Sequence, residues 1–289
     1  MLLNMTSQFL NSTINSTDSM ETDYFTICSD MYEGVVFWAC SSVVLSLFGF
    51  PACVTVLWEL FQKHRRGTPT TPNDVFMLNL TVMDSVFLGF MPTSVCNYLF
   101  WHNWTFETFL NFLYSLSLIG RPLFMTCICL DCYLAVVHPI MYRARKGLTS
   151  RVLMCVVVWA VTLAYGTAFI LIDGLYYQPI TLWPQLITLP TIGVCDFFIL
   201  RALKSSDPAG RDLHPQKKKA LQIIINSLVM TVITYLSPVL VFSMRTMMPG
   251  KVFLCFAIFP LISFTTAGSA LMPVLYLNNL GKLGFIFIH

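Results

Sequence analysis

Residues 107–142 read ETFLNFLYSLSLIGRPLFMTCICLDCYLAVVHPIMY. An apolar run at 109–119 is followed by Gly120-Arg121-Pro122 and a second apolar run at 123–130. The stretch then closes on Asp131-Cys132-Tyr133 and His138-Pro139. At ~1.5 Å per residue, a helix of roughly 30 such residues crosses a hydrocarbon layer of ~30 Å with some tilt. Arg121 sits near the middle of that run. A charge at this depth is expensive and needs a partner. The rest of the chain offers one candidate, Asp84.

Working outward, the whole chain has the same character. Of its 289 residues, 56% are hydrophobic and 11% charged, with a mean hydropathy of +0.70. A soluble domain carries roughly 25% charged residues, so the composition specifies a membrane protein. Seven apolar runs are each near or above the ~20 residues that span as a helix. They lie at roughly 35–61, 73–100, 107–138, 151–172, 180–203, 219–244 and 252–277. Pro51, Pro92, Pro122, Pro190, Pro238 and Pro273 fall inside them. Membrane helices tolerate prolines because neighbouring groups satisfy the freed carbonyls. The fold class is therefore an all-α membrane protein, a bundle of seven transmembrane helices.

Orientation follows from the basic residues. With the N-terminus outside, 14 of the 17 Lys and Arg fall in cytoplasmic segments, leaving Arg121, Arg245 and Lys251. That asymmetry fits the positive-inside rule. The sequons at Asn4, Asn11, Asn15 and Asn103 then all lie outside and are candidate glycosylation sites. The sequon at Asn79 falls within a span. The expected division is a glycosylated extracellular tail at 1–33, a membrane domain at 34–280 and a short cytoplasmic tail at 281–289. Lys217, Lys218 and Lys219 flank the sixth span, where contact with anionic lipid headgroups is the simplest reading. The mild net charge of +3 gives no reason to expect nucleic acid. Eight of the ten cysteines lie within or beside apolar spans and read as small packing residues.

The marks within the spans resemble the rhodopsin-like (class A) G-protein-coupled receptors over about 34–280. Leu80 and Asp84 match that family's Leu-x-x-x-Asp in the second span. Asp131-Cys132-Tyr133 stands where the family has Asp-Arg-Tyr. The following Leu134-Ala135-Val136-Val137-His138-Pro139 and Tyr142-Arg143 look like the purinergic- and lipid-receptor branch. Trp104, Trp159, Pro190 and Pro238 take familiar places, and Met272-Pro273-Val274-Leu275-Tyr276 is similar to Asn-Pro-x-x-Tyr. The departures are as specific. Cys53 replaces an asparagine, Cys132 the arginine that reaches toward the G protein, and Met272 the polar residue before Pro273. Tyr235-Leu236-Ser237-Pro238 lacks the aromatic switch residue, and Glu107 occupies the place of the family's disulfide cysteine. Near the outer ends, Cys28 could instead pair with Cys96.

Counted from the cytoplasmic side, Asp84 lies ~16 Å deep in the second span and Arg121 ~15 Å deep in the third. Equal depth makes an ion pair the favoured reading, with Arg121 alone in a water-filled cavity as the alternative. The resemblance implies a sodium ion beside this aspartate; here an arginine supplies a fixed cation, so no sodium site is expected. Asn79, Ser117 and Ser269 are candidates to complete the hydrogen bonding. Asp131 has lost its usual arginine. It is either solvated, the slightly favoured reading, or paired with Arg143 or Arg145. Asp196 could meet the lysine-bearing end of the sixth span. An outer ligand cavity would draw on Tyr98, Glu107, Tyr176, Tyr177 and Arg245.

Nothing in the chain reads as catalytic, as a metal site or as a cofactor site. The resemblance implies a plasma-membrane receptor that takes an extracellular ligand and engages a heterotrimeric G protein. Asp131, Cys132 and Tyr133 would form its coupling motif, and Pro238, Pro273 and Tyr276 its switch. The runner-up is a relative that binds or traffics but couples weakly, because of Cys132. A small transporter or channel is a third reading, but it lacks the internal repeats such folds show.

Overall fold

A chain that crosses lipid must close its own peptide hydrogen bonds, and these apolar runs close them as helices. The computed structural model describes residues 25–67, 72–144, 148–171, 178–205, 215–244 and 247–280. Helix α1 is Tyr32–Arg65. Helix α2 is Pro72–Cys96, prolonged by a π-helical turn at Asn97–Trp101. Helix α3 is Trp104–Val137, followed by a short helix Pro139–Ala144. Helices α4 and α5 are Leu148–Leu171 and Gln178–Ser205. Helix α6 runs as Pro215–Met230, a π-helical turn Thr231–Tyr235, then Leu236–Ser243. Helix α7 runs as Gly250–Val252, a π-helical segment Phe253–Ile258, then Phe259–Asn279. All seven are long and apolar enough to cross a membrane, and they match the expected spans to within a few residues.

Helix α3 is the most buried of the seven. It packs against α2, α4, α5 and α6, while α7 closes the ring against α1 and α2. Helix α1 shows how lipid inverts the usual pattern. Its buried stripe is largely small or polar, including Gly34, Ser42, Ser46, Gly49, Ala52 and Cys53. Its outward face carries Val44, Leu47, Phe48, Trp58 and Phe61. Small residues let helix backbones approach where lipid supplies no hydrophobic drive between them. At Gly34 the approach is closest: a Cβ there would run into the Cys255 carbonyl oxygen of α7.

The prolines shape α6 locally. Pro238 has no N–H to give the Thr234 carbonyl, and its ring would crowd that group. The preceding turn widens to π geometry, with the Leu236 amide reaching Thr231 O. Ser237 Oγ donates to Ile233 O at 2.9 Å and leans toward Thr234 O at 3.5 Å. A side-chain hydroxyl thus serves the carbonyls of the turn that proline disturbs.

The reversal between α2 and α3 is tight. His102 takes a left-handed φ of 50°, and its amide bonds back to Asn97 O at 2.8 Å. Asn103 caps α3, its Oδ1 accepting from Phe106 N at 3.0 Å. Below, the end of the bundle holding Arg65, Arg151 and Lys204 is called the basic end, and the other the disulfide end.

Candidate functional site: a buried charge node and its two ends

Arg121 and Asp84 meet in the middle of the bundle, 1% and 0% exposed. Arg121 donates to Asp84 Oδ1 from Nε at 3.2 Å and from Nη2 at 3.0 Å. Nη2 also reaches Ser117 Oγ at 2.5 Å and Ser269 Oγ. Nη1 donates to the Thr265 carbonyl at 2.7 Å. One guanidinium therefore ties α2, α3 and α7 together. A buried pair is offset against its desolvation only when extra hydrogen bonds satisfy it, and the guanidinium has them in Ser117, Ser269 and the Thr265 carbonyl. Gly268 makes the space: a Cβ there would stand 2.8 Å from Nη1 and 2.5 Å from Thr234 Oγ1. Chemically, a fixed cation fills the site facing Asp84.

Two of the three expected helpers, Ser117 and Ser269, are at the node. Asn79 is not. It turns to α4, where Trp159 Nε1 donates to its Oδ1 at 3.0 Å, and its Nδ2 bonds Val75 O at 2.8 Å. Its position on α2 puts it over α4 instead of under α7. The Thr265 carbonyl had no sequence signal, because every residue carries a carbonyl.

At the basic end, Asp131 is partly exposed and paired, not simply solvated. Arg145 and the Arg143 side chain lie outside the described ones. Arg151, at the start of α4, donates from Nε to Asp131 Oδ1 at 3.1 Å. The Tyr142 hydroxyl donates to Oδ2 at 3.2 Å, and the Arg151 guanidinium lies over the Tyr142 ring at 5.3 Å. The reason is geometric: α4 starts beside the end of α3, which puts its first-turn base within reach of Asp131. Burial first, then the Asp131 charge, push the Tyr142 phenol above its ordinary range, so it stays a donor. Cys132 is buried against Ile199 of α5 and Ile224 of α6. Tyr133 faces His138 and the Phe198 ring. On the other side, Lys63 bridges α1 to Asp74 of α2 at 2.5 Å, and the Tyr276 hydroxyl bonds Asp74 as well. Pro238 and Pro273 are buried. A cavity of about 30 Å³ lies between Met77, Ile128, Asn226, Met272 and Tyr276.

Asp196 has a partner on α6. Its carboxyl meets Ser227 on α6, roughly two turns along the helix from Lys219. The side chains of Lys217, Lys218 and Lys219 lie outside the described ones.

At the disulfide end, Cys28 bonds Cys255, not Cys96, which is a free thiol. The 25–31 segment folds over α1 and α7, with Phe25, Ile27 and Met31 packing against Trp38, Tyr98 and Phe259. Lys251 donates to Asp30 at 2.8 Å, and that bond and charge hold the Asp30 carboxyl below its ordinary range. Tyr98 is buried in an aromatic cluster, edge-on to Trp38 at 5.6 Å and to Phe259 at 5.1 Å. Glu107 is buried and accepts from Asn97 Nδ2 at 2.9 Å. It lines a cavity of about 40 Å³ with Trp38, Phe87, Met91, Tyr114 and Phe259. A ligand site is usually ~300–1,000 Å³, so this one holds at most a few waters. Tyr176, Tyr177 and Arg245, like Asn4, Asn11 and Asn15, lie outside the described residues; Asn103 is exposed.

Residues 52–180 match the model of the 7 transmembrane receptor (rhodopsin family). The chain is 30% identical over 139 residues to proteinase-activated receptor 3 of Homo sapiens, covering 47% of this chain and 36% of that one. It is 28% identical over 157 residues to chemerin-like receptor 2 of Macaca fascicularis, covering 50% and 42%. It is 34% identical over 117 residues to a purinoceptor of Xenopus laevis, covering 39% and 21%. The matched stretch spans less than half the length of each of these relatives.

Proposed function

We propose that this chain, a member of the rhodopsin family of seven-transmembrane receptors, carries an extracellular ligand signal across the plasma membrane to a heterotrimeric G protein. The basic end faces the cytoplasm, as the positive-inside rule directs. The disulfide end and the sequon-bearing tail at 1–33 face outward, and residues 281–289 lie inside. The observation that carries the reading is the Arg121 node. It joins α2, α3 and α7 at the centre of the bundle, where it can couple the outer halves of these helices to the inner ones. A ligand that favours a different helix arrangement would shift the population toward an inner face open to a partner.

Cys132 favours a second reading, in which the chain couples weakly. The residue that in the family reaches the G protein is here a small thiol tucked under Ile199 and Ile224. Sensors of G-protein dissociation, one per G-protein class, read in cells expressing wild type or Cys132→Arg across a ligand screen, separate the readings. Ligand-dependent dissociation by the wild type supports the first. A silent wild type with raised basal signal in Cys132→Arg supports the second. Surface-expressed protein that is silent in both forms, for every class and ligand, overturns the receptor reading.

A further inference from the structure

Asp84 has a matching cation; among the described residues, Asp196 does not. Asp196 lies on α5 about 12 Å from Lys204 toward the bilayer centre and is 8% exposed. Its carboxyl meets the Ser227 hydroxyl of α6, and Ser227 Oγ stands 3.3 Å from Cys129 Sγ of α3. One acid, one hydroxyl and one thiol thus link α5, α6 and α3. Oδ1 of Asp196 has no hydrogen-bond partner among the described residues. Among the described residues, the titratable groups around it are thiols: Cys129 from α3 and the adjacent Cys195. Helix α6 presents Ser227 and Ile224, and Cys132 packs one turn along α3.

An isolated carboxylate in such surroundings carries a large desolvation cost, which the neutral acid avoids. The neutral acid also keeps an O–H to donate. Once water reaches it, an aspartic acid is ionised at neutral pH.

We propose that Asp196 is a proton-release latch. It is a neutral carboxylic acid while α6 packs against α3 and α5, and it loses its proton to cytoplasmic water when that packing opens. The O–H bond breaks, the proton passes to water, and the carboxylate remains hydrated; nothing is oxidised. The inference rests on the receptor reading only in that the basic end opens. The sign follows from linkage. Over the pH range in which the packed acid is protonated and the hydrated one ionised, the closed form holds one proton more than the open form, so there the open fraction rises with pH, by up to tenfold per unit. Acidification of the cytoplasmic side closes the bundle.

The test uses the full chain in lipid nanodiscs, with spin labels on the basic ends of α3 and α6, titrated from about pH 5 to about pH 8. Infrared spectra of the same samples read the C=O stretch of a protonated carboxyl. The expected result is an open fraction that rises several-fold per pH unit in wild type and is flat in Asp196→Asn. A carboxyl band should be present in wild type at low pH and missing from the variant. Ser227→Ala keeps the acid and loses its tether, so it should keep the slope while shifting toward open. A flat wild-type titration, an unchanged slope in Asp196→Asn, or no carboxyl band assignable to Asp196 overturns the latch. If Asp196→Asn does not fold, the wild-type spacing and band must titrate together, and their failure to do so has the same force. None of these readouts needs a ligand or a G protein, so a chain that fails the dissociation assay but passes here loses the receptor reading alone.

Discussion

Arg121 holds Asp84 through one oxygen, Nε at 3.2 Å and Nη2 at 3.0 Å onto Oδ1, with both side chains shut away from solvent. Such a pair adds little net stability over an apolar core, yet removing one partner strands the other charge. That loss is about 3–5 kcal/mol. Arg121→Met should therefore lower thermal stability in detergent and cut surface expression sharply. The double variant Arg121→Met with Asp84→Leu should recover much of the loss. Equal stability of Arg121→Met and wild type would show that the pair does not matter.

The same guanidinium predicts indifference to sodium. Its charge already faces Asp84, and a second cation would meet repulsion instead of an open carboxylate. Melting temperature should be the same in sodium and in potassium chloride at equal ionic strength. Arg121→Ser, which leaves the acid with hydroxyls around it, should become more stable in sodium than in potassium. A sodium-dependent wild type would contradict the geometry.

Asp131 and Arg151 form a weaker clamp, 20% and 8% exposed, worth about 1 kcal/mol given partial solvent screening. Arg151→Ala should lower stability by about that much. The loss should not add to that of Asp131→Asn, because each removes the same contact. Additive losses in a double-mutant cycle would mean the two side chains act separately.

How much of this was legible beforehand depends on range. Span count, proline positions and the depth of Asp84 and Arg121 follow from composition and a ~1.5 Å rise, and the helices match them. Partners that require knowing which face a helix presents did not follow. Asn79 lies five residues, ~7.5 Å, nearer the basic end than Asp84, and it points to Trp159. Asp131 takes a base from the next helix, Arg151. The π-helical turn before Pro238 and the left-handed His102 are answers to local crowding that hydropathy does not record. Gly268 carries no signal until Arg121 is seen beside it.

The disulfide was misassigned for a related reason. Cys28 and Cys96 both sit near the outer end of the bundle, and depth alone cannot choose between α2 and α7. The structure chooses α7, where Gly34 lets α1 close on the Cys255 backbone and the 25–31 segment packs over Trp38 and Phe259. The bond closes a separation of 227 residues. Long closures stabilise most in the chain-entropy picture, but membrane helices persist when packing is lost, so the low end of the usual range, about 2 kcal/mol, is expected. Cys28→Ser and Cys255→Ser should each lower the melting temperature by the same amount, and the double variant by no more than either. Cys96→Ser should leave it unchanged. Peptide mapping under non-reducing conditions should recover Cys28 linked to Cys255; recovery of Cys28 linked to Cys96, or a destabilised Cys96→Ser, would reverse the assignment.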